Sequence, residues 1–134
     1  GEGKRLRPYT QTQPKCMVPL LGKRLISYQQ NTLESVGINS ISIVSGYQAE
    51  NLCYLQYPMY HNENYHSTNM VTSLFCALKV LECATDDLII SYGDIVYEKR
   101  NIEKLLNTSG DIVLMIDDGW NKLWSLRNEN PMSD

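Results

Sequence analysis

The chain has 134 residues, with 12 Lys+Arg against 15 Asp+Glu, 43% hydrophobic residues and 20% charged. This composition excludes a disordered, collagenous or disulfide-stapled chain, and the length suffices for a buried core. No apolar run approaches the ~18–20 residues of a membrane-spanning helix, so no membrane partner is expected.

Residues 1–24 read as loop, because Pro8, Pro14 and Pro19 prevent a continuous helix. They carry six bases against the single acid Glu2, whereas residues 25–134 carry six bases and 14 acids. A basic, glycine-containing loop on an acidic chain suits a compact anion. Nucleic acid is not expected, since the overall balance is acidic and no basic–aromatic stripe recurs. Leu25, Ile26, Leu33 and Val36 predict a helix over 25–36, stopped by Gly37. Ile41, Ile43 and Val44 predict a strand over 38–45, ending at Gly46-Tyr47. A short helix is predicted over 48–56, and the tyrosine- and asparagine-rich stretch 57–66 reads as loop around a short strand.

Ser67 or Thr68 is placed to cap a helix in which Met70, Val71, Leu74, Phe75, Leu78 and Leu81 recur at helical spacing. The apolar runs 87–92 and 111–116 predict buried strands, broken by Gly93-Asp94 and Asp117-Asp118-Gly119. A helix over 100–107 separates them, ended by Gly110. Strands alternating with helices, two of the strands apolar throughout, predict an α/β chain with a mostly parallel sheet covered on both faces. Ligands of such sheets bind beyond the carboxyl ends of strands. The ends at Gly46-Tyr47, Gly93-Asp94 and Asp117-Asp118 are therefore expected to cluster.

Cys16, Cys53, Cys76 and Cys83 contain no C-x₂-C pair and no spacing suited to zinc. Four thiols in a reducing cytoplasm is the expectation. His61 and His66 lack a metal partner at helical spacing and read as loop histidines. Asp86 and Asp87 precede a strand and take a turn role. Thr68 and Asn69 suit two purposes, capping the helix or reading a pyrimidine edge, since Asn offers both donor and acceptor. Asp117, Asp118, Trp120, Trp124 and Arg127 form a late cluster. Trp120 and Trp124, four apart, suit either packing on one helical face or an aromatic cage for a quaternary ammonium.

The most specific motif is Gly1-Glu2-Gly3-Lys4-Arg5-Leu6-Arg7-Pro8-Tyr9-Thr10, followed by Pro14-Lys15-Cys16-Met17. Glycines let backbone N–H groups approach phosphate oxygens. Arg5 offers a planar fork and Lys15 a mobile point charge. This G-x-G-x-R-L-x-P-x-T and P-K-x-M pattern resembles the nucleotidyltransferase family that makes sugar nucleotides and CDP-alcohols. Lys4 and Arg24 depart from the family's usual residues without removing a phosphate ligand. Ile43-Val44-Ser45-Gly46-Tyr47, Tyr65 to Leu74 and Tyr92-Gly93-Asp94 extend the resemblance over nearly the whole chain. Within the family the pattern is most similar to the bacterial phosphocholine cytidylyltransferases.

The resemblance implies a Rossmann-like three-layer α/β/α nucleotidyltransferase fold with a mostly parallel sheet, truncated at both ends. Residues 1–134 would form the nucleotide-binding part of a single domain, with the first strand and the C-terminal acceptor region missing. It implies that Gly1, Gly3, Arg5 and Lys15 hold a triphosphate, with Arg5 and Lys15 catalytic, and that Thr68 and Asn69 face the base. Asp94 would hold Mg²⁺, and Trp120 and Trp124 would meet the acceptor. The implied partners are a nucleoside triphosphate, CTP favoured, and a phosphorylated small-molecule acceptor. The expected reaction is transfer of CMP to phosphocholine with release of pyrophosphate. A sugar 1-phosphate nucleotidyltransferase and a non-catalytic nucleotide-sensing module are the alternatives. A metal-dependent glycosyltransferase ranks lower, because 92–96 lacks an Asp-x-Asp pair.

Overall fold

A computed structural model describes residues 1–126. The chain forms two compact units, Gly1–Lys99 and Arg100–Asp134. In the first unit, 3₁₀ turns at Lys4–Leu6 and Lys15–Met17 shape the basic segment. A two-residue hairpin, β1 (Pro19–Leu20) and β2 (Lys23–Arg24), leads directly into α1 (Leu25–Ser35). Helix α1 ends where expected: Ile38 N–H reaches Leu33 O and Gly37 N–H reaches Glu34 O, both at 3.0 Å. That pair of bonds, with Gly37 at φ 85°, caps the helix by returning the chain in the left-handed region.

Strand β3 (Ile43–Ser45) pairs in parallel with β4 (Met59–His61), Ile43 opposite Met59 and Ser45 opposite His61. Parallel strands need a crossover, and the 3₁₀ helix Ala49–Leu55 supplies it. Buried Met17, Ile26 and Leu52 form the core of this unit, with Cys16, Ile43, Leu55 and Met59 packed against them. Each such side chain taken from water contributes about 1.5–3 kcal/mol. The core thus fastens the Lys15–Met17 turn, α1 and the parallel pair to one another.

The long helix expected over 70–81 is instead two, α2 (Met70–Phe75) and α3 (Leu78–Cys83). Of the capping candidates Ser67, Thr68 and Asn69, Asn69 is the cap: its Oδ1 accepts from the Val71 and Thr72 N–H groups, both at 3.0 Å. The run 87–92 enters no ladder among the described residues. Its apolar side chains lack a neighbouring strand, and Ile90 stays 63% exposed.

The second unit contains α4, which starts at the boundary (Lys99–Leu106), and α5 (Trp120–Ser125). The predicted strand over 111–116 likewise enters no ladder, with Ile112, Leu114 and Ile116 largely exposed. Backbone N–H and C=O groups need ladder partners before β-branched residues become a strand. No described helix is long and apolar enough to cross a membrane.

Candidate active site

The basic loop is closed by its own residues. Gly3 sits at φ 63°, a left-handed conformation that L side chains resist. A Cβ there would stand 3.0 Å from Thr10 Cγ2. This close approach lets Thr10 Oγ1 donate to the Gly3 carbonyl at 2.8 Å, with Thr10 fully buried. The exit of β3 then pins the loop from outside. Tyr47 OH donates to the carbonyls of Thr10 (3.0 Å) and Gln11 (2.8 Å), and Asn51 Nδ2 donates to Thr12 O at 3.2 Å. The Gly46-Tyr47 strand end therefore meets the glycine loop, as its position at the carboxyl edge suggests.

Within the loop, Arg7 and Lys4 pair with Glu2 at 3.2 and 3.5 Å. Part of the basic charge is thus balanced locally. Arg5 lies exposed in the Lys4–Leu6 turn.

Lys15 meets Asp94. Lys15 Nζ donates to Asp94 Oδ2 at 2.6 Å across 79 residues of sequence, with both side chains about one-third exposed. The cause is the packing beside them: a Cβ on Gly93 would stand 3.3 Å from Cys16 Cβ. The residue after Lys15 and the residue before Asp94 are in near contact, which brings their charged neighbours together. Burial pushes the Cys16 thiol up to about 11, with the Asp94 carboxylate adding in the same direction against a backbone hydrogen bond that lowers it.

The segment over residues 64–73 is organised by a residue outside the sequence expectations. Buried Asn62, just after β4, donates through Nδ2 to Thr68 Oγ1 and Ser73 Oγ, both at 2.9 Å. Its Oδ1 accepts from Asn64 N–H, and its own N–H bonds Ser45 O. A polar residue directly after a strand, inside an Asn-rich loop, was the available signal. Thr68 Oγ1 donates to Asn64 O, so Thr68 is engaged in loop structure and Asn69 Oδ1 in capping. Tyr65 packs edge-on against Tyr47, ring centroids 6.2 Å apart, placing this segment beside the same strand exit.

His61 and His66 are exposed, His61 Nδ1 lying 3.2 Å from Ser45 Oγ and His66 edge-on to Tyr65. All four cysteines are free thiols. Asp117, Asp118, Trp120 and Trp124 belong to the second unit; Asp117 Oδ1 accepts from Gly119 N–H at 2.9 Å, a turn role. Trp120 is 38% exposed on α5, with Trp124 one turn on and half-buried. Arg127 lies outside the described residues.

No three His, Cys, Asp or Glu side chains converge among the described residues. The donor chemistry fits Mg²⁺ in the open form such ions prefer: one carboxylate, Asp94, with water and phosphate oxygens completing the shell. It does not fit a closed structural metal centre.

A glycine-containing basic loop followed by a lysine that pairs with the Asp94 carboxylate is an arrangement suited to nucleotide phosphates. The MobA-like NTP transferase domain matches residues 1–125. The chain belongs to this family. It is 44% identical over all of its length to the CTP:phosphoglutamine cytidylyltransferase of Campylobacter jejuni, covering 56% of that protein. It is 32% identical over 88% of its length to the 2-aminoethylphosphonate cytidylyltransferase of Lancefieldella rimae, covering 54%. The chain thus spans about half the length of these relatives. Among solved structures it resembles the CTP:phosphocholine cytidylyltransferase of Streptococcus pneumoniae, with TM-score 0.57 and 38% identity over 60% of this chain and 37% of that one. This NTP transferase domain has the Rossmann-like α/β nucleotidyltransferase fold expected from its sequence, with parallel strand pairing.

Proposed function

We propose that the chain is the nucleotide-binding part of a longer cytidylyltransferase domain. The enzyme transfers CMP from CTP to a phosphorylated small-molecule acceptor and releases pyrophosphate. The observation that carries this reading is the Lys15–Asp94 pair, at 2.6 Å beside the glycine loop. An ammonium and a carboxylate held this way exchange partners readily, the ammonium for phosphate oxygens and the carboxylate for a cation. The activities of these three relatives, each a cytidylyltransferase named for a phosphorylated or phosphonylated small molecule, support CTP as donor.

In the reaction, an acceptor phosphate oxygen attacks the α-phosphorus of CTP. The bond from that phosphorus to the bridging oxygen breaks, and pyrophosphate leaves with its electrons. No proton need be removed from the attacking phosphate, so the chain's task is positioning and charge neutralisation. The glycine loop, with Arg5 and Lys15, holds the triphosphate and meets the charge that grows on the leaving pyrophosphate. Asp94 would hold Mg²⁺, which when bound would supply further neutralisation of the phosphates. Thr68 and Asn69 stand beside the base, their oxygens already engaged in loop and cap, so base contact falls to the Asn69 amide NH₂.

Phosphocholine remains the acceptor that the sequence pattern favours, with Trp120 and Trp124 as its aromatic contacts. Phosphoglutamine and 2-aminoethylphosphonate are the competing acceptors that the relatives bring forward. Pyrophosphate release by the full-length protein, with CTP or UTP paired against these three acceptors and glucose 1-phosphate, decides among them. CTP-dependent release with one phospho-acceptor is the expected result. Release with glucose 1-phosphate and UTP would replace this reading with a sugar nucleotide one. Tight Mg–CTP binding with no release on any acceptor would make the protein a nucleotide sensor.

A further inference from the structure

We infer that Gln29 is the positioning residue of Asp94, an inference that rests on the nucleotidyltransferase reading of the site. Gln29 lies in the middle of α1 and is buried, with 8% of its surface exposed. Its single Nε2 group donates to two backbone carbonyls, Tyr92 O at 2.6 Å and Ile95 O at 2.5 Å. These carbonyls flank Gly93-Asp94. An amide NH₂ has two hydrogens, so one buried side chain holds both ends of the tetrapeptide that presents the carboxylate. One turn further along α1, Thr32 Oγ1 donates to Tyr28 O at 2.9 Å within the helix and stands 3.4 Å from Tyr97 O.

A buried amide placed on a helix that otherwise packs apolar residues costs desolvation unless its partners are fixed. Here those partners sit in a stretch that enters no strand ladder among the described residues. The Tyr92 and Ile95 carbonyls there are met by Gln29. The amide therefore sets how far the 92–95 turn stands from the Lys15–Met17 turn, and so where the Asp94 carboxylate meets its ligands. Residues that orient a metal ligand typically change metal affinity or activity by about 10–100-fold when replaced.

The test uses the full-length protein with Gln29→Glu, which keeps the shape but cannot donate from an ionised carboxylate, and Gln29→Met, which keeps apolar volume. Hydrogen exchange over residues 91–96 is read without ligand, against exchange over β3 and β4 as internal control. Exchange is expected to rise in 91–96 alone. Pyrophosphate binding is then measured with and without Mg²⁺. The Mg²⁺-dependent gain in affinity is expected to fall about tenfold or more in both variants. In an Asp94→Asn background the Gln29 substitutions should have no further effect on that gain, because they act through the missing carboxylate.

Unchanged exchange in 91–96, or an unchanged Mg²⁺ gain, would overturn the inference. So would loss of cooperative folding in both variants, since the amide would then support the whole unit rather than the turn. Failure of the wild-type protein to bind pyrophosphate under any condition would instead overturn the nucleotidyltransferase reading. The exchange readout would still judge the tie between Gln29 and the turn.

Discussion

In the loop over residues 1–13, Thr10 reaches back seven residues to the Gly3 carbonyl, and Tyr47 and Asn51 add bonds from the exit of β3. In the turn over residues 92–95, the Tyr92 and Ile95 carbonyls are taken by Gln29, more than 60 residues away on α1. Both segments bring one charged residue to the same place, Lys15 from just beyond the first and Asp94 from the second. The first is shaped largely by its own sequence, the second by a helix laid down long before it. A locally closed loop tolerates changes elsewhere in the fold. A remotely held turn transmits them to its carboxylate.

The sharpest way to break this comparison is at the point where the two segments touch. Lys15→Ala should lower turnover of the full-length enzyme by about 10²–10³-fold, the typical loss when one charge-stabilising donor is removed. Circular dichroism and the thermal midpoint should stay near wild type, because a pair this exposed contributes only about 0–1 kcal/mol to stability. Near-normal turnover would remove Lys15 from the site.

A local change in the first loop comes next. Gly3→Ala places a Cβ against Thr10 and forces a left-handed residue, costing about 1–2 kcal/mol. It should lower the denaturation midpoint and weaken pyrophosphate binding, while hydrogen exchange in 91–96 stays as in wild type. Raised exchange in that turn would show that the two segments are not held independently.

Asp94→Asn gives a smaller effect of opposite sign. It frees Lys15 from its carboxylate, so metal-free pyrophosphate should bind about two- to fivefold more tightly, matching an exposed pair of roughly 0.4–1 kcal/mol. The Mg²⁺-dependent gain should vanish in the same titration. Weaker metal-free binding would mean that Asp94 does not compete for Lys15.

The smallest effect lies at the contact between the turns. The folded protein holds the Cys16 thiol at about 11 against an ordinary value of 9.0. Between those values the unfolded chain gives up the proton and the folded chain keeps it. Stability is therefore unaffected below about pH 9 and falls as pH rises from there towards 11. Urea midpoints of metal-free wild type and Cys16→Ala at pH 8 and 10.5 isolate this term. The wild-type midpoint should drop further than that of the variant.

The site was legible where the chemistry is local. Gly3, Arg5 and Lys15 sit in one motif. The Gly93-Asp94 break was visible as a polar stop after an apolar run, and Gly37 marked the end of α1 to within a residue. The runs 87–92 and 111–116 read as strands from apolar content alone, yet neither enters a ladder. Ile43 to Ser45, no more apolar, forms one because β4 lies beside it. Gln29 and Asn62 were not singled out, since a buried amide looks like any surface amide until its partners are known.

By itself the sequence determined the basic glycine loop, the helix α1, the family and the residue types available for chemistry. These depend on φ preferences, helical periodicity and charge, which act between near neighbours. Tertiary structure alone decided that Lys15 would be paired with Asp94 and that Gln29 would hold the 92–95 turn. Hydrogen-bond partners across 60 or more residues are chosen by which groups packing brings together and strips of water, and no local pattern records that choice.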